Sequence, residues 1–112
     1  MNKGIKKHVE YELKNYLKTR DKFISVLEDD RNKLNHLITS NRLSYMDKIL
    51  KAIERNLEAL DPTQLKFIEV HYWKYRYNIQ FIAQHLDCGV KTLYNWKNKL
   101  LEDIAEDMGW ID

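Results

Sequence analysis

Ile79 to Asn98, IQFIAQHLDCGVKTLYNWKN, has the residue spacing of a helix-turn-helix. In that motif a first helix packs steeply across a second, and a short turn joins them. The crossing admits only a small side chain, and Ala83 supplies one in the fifth place of the stretch. Ile82 and Leu86 before the bend, with Leu93 and Trp96 after it, are spaced to seal the two helices together. Gly89 is expected at the bend, where a flexible backbone is useful. The helix from about Val90 to Leu100 would then be presented to a DNA major groove.

The rest of the chain agrees with a helical reading. With 112 residues it is one domain, or one small domain plus an extension. Its 3 glycines and 1 proline leave little of the punctuation that hairpins require. The expected fold class is all-α, with an N-terminal helical region over residues 1–60 and a three-helix, helix-turn-helix domain over 61–112. The one cysteine, Cys88, excludes an internal disulfide framework and fits a reducing compartment. No apolar run approaches the length of a membrane span, and the N-terminal residues lack the apolar segment of a signal peptide. The expected location is cytoplasmic.

A net charge of +2 says little about partners, but its distribution says more. Between Lys66 and Lys99 stand six basic residues (Lys66, Lys74, Arg76, Lys91, Lys97, Lys99) against Glu69 and Asp87. Between Glu102 and Asp112 there are five acidic residues and no basic one. A basic block around the second motif helix, followed by an acidic tail, suits one face turned to DNA and another turned away.

Local signals place the other helices. Ile5, Val9, Leu13, Tyr16, Leu17, Ile24, Leu27, Leu34, Leu37 and Ile38 recur at threes and fours, predicting one long helix or two in succession. A break is expected near Thr19 or Asp29-Asp30, and the polar Thr39 to Ser44 reads as a loop. Ser44, with Asp47 three residues on, is expected to cap a helix whose stripe is Met46, Ile49, Leu50, Ile53, Leu57 and Leu60. Asp61-Pro62-Thr63-Gln64 is a capping box with proline at the first helical position, flanked by a Leu60–Leu65 staple. That helix should run to about Lys74, and Asn78 should cap the first motif helix.

The segment LDPTQLKFIEVHYWKYRYNIQFIAQHLDCGVKTLYNWKNKLLEDIAEDMGW, Leu60 to Trp110, resembles the C-terminal half of the RinA/ArpU group of phage transcriptional activators. The shared features are the Leu-Asp-Pro helix start, the aromatic pair Tyr72-Trp73, Ile82-Ala83 before the turn, and Thr92-Leu93-Tyr94 with Trp96 after it. A basic-to-acidic tail ending in Gly109-Trp110 completes the likeness. That half of the family is similar to the sigma-factor domain that reads the upstream promoter element. Glu12-Leu13 and Asn15-Tyr16 also look like the family's opening. The turn departs from it: Gly89 stands where the pattern has a serine cap. The resemblance implies a DNA-binding activator of late phage genes, working in a bacterial host and touching host RNA polymerase.

With Leu93 and Trp96 facing inward, Val90, Lys91, Tyr94, Asn95 and Asn98 are left facing out. Asn95 suits a bidentate contact with adenine, and Lys91 a contact with guanine or phosphate. Tyr94 suits a thymine methyl or a sugar, and Thr92 the phosphate backbone or the helix start. Lys97, Lys99, Lys74 and Arg76 are candidate phosphate partners. The aromatic cluster Tyr72, Trp73, Tyr75 and Tyr77 fits the seam between helices better than a single-strand stacking platform, and Trp96 and Trp110 read as packing residues.

Catalysis, cofactors and metals are not expected. His8, His36, His71 and His85 are scattered, and His85 with Cys88 supplies two ligands where a structural zinc needs four. No phosphate loop, nucleophile motif or convergent carboxylate pair is present. The partner expected is double-stranded DNA, bound as a homodimer formed through the N-terminal helices. Two other functions fit the same pattern. A phage small-terminase-like packaging protein would form rings, and an adaptor of RNA polymerase would bind protein and no DNA.

Overall fold

The computed structural model describes residues 1–30 and 36–111, and within them the chain is all-helical. The α-helices are α1 (Lys3–Lys14), α2 (Tyr16–Asp30), α3 (His36–Glu58), α4 (Pro62–Ile68), α5 (Ile79–Leu86) and α6 (Val90–Asp107). A π-helical turn, Glu69–Trp73, continues α4 directly. No helix among the described residues is long and apolar enough to cross a membrane.

α6 is the hub. α1, α3, α4 and α5 all pack on it, and α2 folds back on α3. Leu93, Leu100, Leu101, Ile104 and Ala105 line its inner side, nearly free of solvent contact. The buried cluster runs from Val9 and Leu13 of α1 through Ile49 and Ile53 of α3 to Phe67, Ile82 and Met108, without a division at the Leu60-Asp61 turn.

Several helix ends follow the sequence chemistry. Asp61 Oδ1 accepts from the Gln64 amide at 2.8 Å, and Gln64 reaches back to the Asp61 amide, so the capping box forms. Asn78 caps α5 by accepting from the Phe81 amide. At the far end of α6, Gly109 adopts φ 76°. Its amide bonds the Glu106 carbonyl, and the Trp110 amide bonds that of Ala105, the bond pattern of a Schellman cap. A Cβ at Gly109 would meet nothing within 4 Å, so a side chain there costs only backbone strain. Gly109→Ala is expected to destabilise by about 1 kcal/mol, lowering Tm by several degrees in thermal melts.

Elsewhere the chain departs from expectation. The first break falls at Asn15 rather than Thr19. Asn15 Nδ2 donates to the Tyr11 carbonyl at 2.8 Å, a local bond that competes with helical continuation. Indole Nε1 of Trp73 donates to the Leu13 carbonyl at 2.9 Å, satisfying one of the groups left open at the end of α1. The expected loop at Thr39 to Ser44 is helical, and Ser44 sits inside α3 instead of capping it. That stretch contains no glycine or proline, and the modest penalties of Ser, Thr and Asn do not interrupt a helix that runs from His36 to Glu58. Leu34 lies outside the described residues, as do the side chains of Leu37 and Ile38.

The helix after Pro62 closes with a π turn, in which the Lys74 amide bonds the Glu69 carbonyl. Widening the turn lets the adjacent Tyr72 and Trp73 both reach α1. Backbone flexibility at the motif's bend is needed at Asp87, not Gly89. Asp87 takes the left-handed conformation (φ 54°), which short polar side chains tolerate, whereas Gly89 is extended (φ −71°, ψ 146°) and any residue could adopt its backbone.

Candidate nucleic-acid interface

Ile82 and Ala83 of α5 and Leu93 of α6 are buried at the seam of the motif, and Leu86, Cys88 and Trp96 pack, half-buried, against the core these residues belong to. Opposite that seam, Val90, Lys91, Thr92, Tyr94 and Asn95 are exposed together on the first turns of α6. The helix begins without a side-chain cap, because Gly89 has none to offer. Neither Lys91 nor Asn95 has a side-chain partner among the described residues, so both are presented to solvent with their bonding capacity unspent.

The outward face closes sooner than the spacing predicts. Asn98 is only half-exposed, and its Oδ1 is buried without a hydrogen-bond partner. From there on α1 and α3 cover α6: Glu10 of α1 meets Lys97, and Arg55 and Asn56 of α3 meet Asp107. Lys97 lies on the inner side, 14% exposed, with its ammonium 2.8 Å from Glu10. The same ammonium sits 5.9 Å from the ring centroids of both Tyr72 and Tyr94. Lys99 is exposed but bonded to Asp103 at 2.9 Å, and Lys74 pairs with Glu69 at 3.6 Å across the π turn. Arg76 is exposed and without an ion pair among the described residues, on a backbone with φ 55°.

Of the aromatic cluster, Tyr72 and Trp73 fill the seam between helices as expected. Tyr75 and Tyr77 do not. They stack at 5.1 Å on the surface, and the row continues through Phe81 to His85 at 4.5 and 4.3 Å. Trp110 packs on His8 at 4.6 Å.

A polar cluster ties α1 to α6 beneath this surface. Tyr72 Oη donates to Glu10 at 2.6 Å, opposite Lys97. Burial alone would raise the Glu10 pKa. The bonds from Lys97 and Tyr72, with the charges of Lys97 and Lys14, more than offset that and hold it below the usual carboxylate value. His71 Nδ1 donates to the Tyr77 carbonyl at 2.9 Å. Burial lowers the His71 pKa below 6.5; the bond to Tyr77 and the charge of Glu10 oppose the shift, while Lys97 and Lys14 add to it.

Folding therefore favours neutral His71, and its contribution is complete above pH 6.5 and lost as pH falls below it. Glu10, with a depressed folded pKa, adds a second loss below pH 4.5. Thermal melts should show Tm dropping between pH 7.5 and 5.5, with a smaller drop in His71→Gln. An equal drop in both proteins would remove His71 as the cause.

No family model, curated protein or solved structure matches the chain.

Proposed function

We propose that this chain is a sequence-specific regulator of transcription that binds double-stranded DNA, an activator of the kind found in the phage group it resembles. One observation carries the reading: on α6 a solvent-facing set, Lys91, Tyr94 and Asn95, lies opposite a buried seam with α5. A helix held by its back and offered by its first turns is how helix-turn-helix proteins enter a major groove. Lys and Asn are side-chain types that read guanine and adenine edges.

A second copy would extend a short site. Val9, Leu13 and Tyr16 of the N-terminal stripe are consumed by the core, but Leu17, Ile24 and Leu27 of α2 are 37–50% exposed on one side of the helix. Pairing through α2 would set two half-sites about one helical turn, ~34 Å, or a multiple apart. Host RNA polymerase would be met by surfaces away from the reading face.

Selection of bound sequences from a random duplex pool tests the proposal. An enriched motif is the expected result, and its symmetry reports whether one copy or two are bound. A pool that stays random, with no retention of duplex at low salt, overturns the reading in favour of a protein-binding adaptor.

A further inference from the structure

Beside the reading face a cleft of about 590 Å³ opens between the α1–α2 joint and the loop that leads into α5. Glu10, Lys14 and Lys18 line one wall; Arg76, Asn78 and Lys97 line the other. Inside it, Glu10 and Lys97 neutralise one another. Lys14, Lys18 and Arg76 are left over, all exposed, and none has an ion-pair partner among the described residues. Three like charges around one concavity repel one another and gain from an anion placed among them.

Lys97 links the cleft to the outward face of α6: it lines the cleft, and its ammonium lies 5.9 Å from the ring centroids of both Tyr72, also in the lining, and Tyr94. Arg76 is held in place by backbone that few side chains adopt, φ 55°. The neighbouring Tyr77 amide bonds the Val70 carbonyl, and the Tyr77 carbonyl accepts from His71, which fixes this turn. Such strain at an exposed cation fits a residue whose position serves a ligand.

We propose that this cleft seats the phosphate backbone of DNA flanking the bases read by α6, with Lys14 and Lys18 of the N-terminal helices and Arg76 as the contacting cations. The inference rests on the duplex-binding reading above and changes its geometry. The N-terminal region becomes part of the DNA interface, and the phosphate contacts shift away from Lys97, Lys99 and Lys74, whose charges are already paired.

Salt titration of duplex binding by the full chain tests it, using the selected site and a scrambled duplex. Lys14→Ala with Lys18→Ala should weaken both duplexes by the same factor. The log-log salt slope should become shallower by roughly two units, about 0.9 for each phosphate no longer neutralised. Arg76→Gln should remove about one more. Both lysines are exposed and outside any ion pair among the described residues, so Tm should move little, the loss being confined to the longer-range effect of Lys14 on Glu10. If the unaltered chain binds duplex and the double variant keeps its slope, the cleft assignment falls and the duplex reading stands. If the variant loses preference for the selected site at unchanged Tm, the residues read bases and the phosphate assignment is wrong. If the unaltered chain retains no duplex at low salt, both fall together.

Discussion

Lys91→Ala combined with Asn95→Ala is expected to abolish sequence-specific duplex binding while leaving the fold intact. Each well-made bidentate contact to a base edge contributes about 1–3 kcal/mol of discrimination, so removing two should reduce preference for the selected site by roughly 30-fold to 10⁴-fold. Stability should hardly change. Both side chains are exposed on α6 and make no bond among the described residues, and alanine is the better helix former at both places. Weak, sequence-independent binding should persist, because it depends on phosphate contacts that this variant mostly keeps. Footprinting with thermal melts separates these effects. A normal footprint from the double variant would show that other residues read the site, and a collapsed Tm would show that the two side chains support the fold.

The parts of the fold legible in the sequence are those governed by residues close together in the chain. Asp61 and Gln64 are three apart, as are Asn78 and Phe81, and each pair closes a bond that a helix start requires. The apolar spacing of Ile82, Ala83, Leu86, Leu93 and Trp96 encodes the motif because its two helices are joined by a short turn. Gly109 follows the last helical turn of α6, where a Schellman cap calls for a residue that tolerates positive φ.

What could not be read depends on partners far along the chain. Lys97 looks like a free cation in its own neighbourhood, and only folding brings Glu10 to it. Asn98 lies on the outward face by periodicity, yet the chain packed over the second half of α6 leaves it half-covered. The cleft joins Lys14 and Lys18 to Arg76, and no local pattern links them. Breaks without glycine or proline are similarly silent. α1 ends at Asn15, whose side chain bonds the Tyr11 carbonyl, while an indole sixty residues from Leu13 takes the Leu13 carbonyl; the stretch before Ser44 has the composition of a loop and stays helical.

The largest effect on stability should come from Phe67→Ala. Phe67 has no exposed surface. Its ring stacks on His71 at 5.6 Å and meets Trp96 of α6 at 6.3 Å, so it joins α4 to the helix that carries Lys91, Tyr94 and Asn95. Truncating a buried phenylalanine typically costs about 3–5 kcal/mol, from lost transfer energy and from the cavity left behind. Against a total of about 5–15 kcal/mol for a domain of this kind, that is a large fraction. At several degrees of Tm per kcal/mol, melting should fall by more than about 10 °C. Phe67→Leu leaves a smaller void and should cost much less. The environment of Trp96 should change with the cavity, giving a shift in tryptophan emission below the transition that Phe67→Leu shows weakly. Trp96 is the immediate neighbour of Asn95, so a vacated core would also loosen the backing of the reading face. Duplex affinity measured well below the melting point should therefore fall in Phe67→Ala, although Phe67 itself cannot reach DNA. If Tm moves by only a degree or two, α4 is not anchored to α6 through this ring, and the three-helix packing behind the reading face is misassigned.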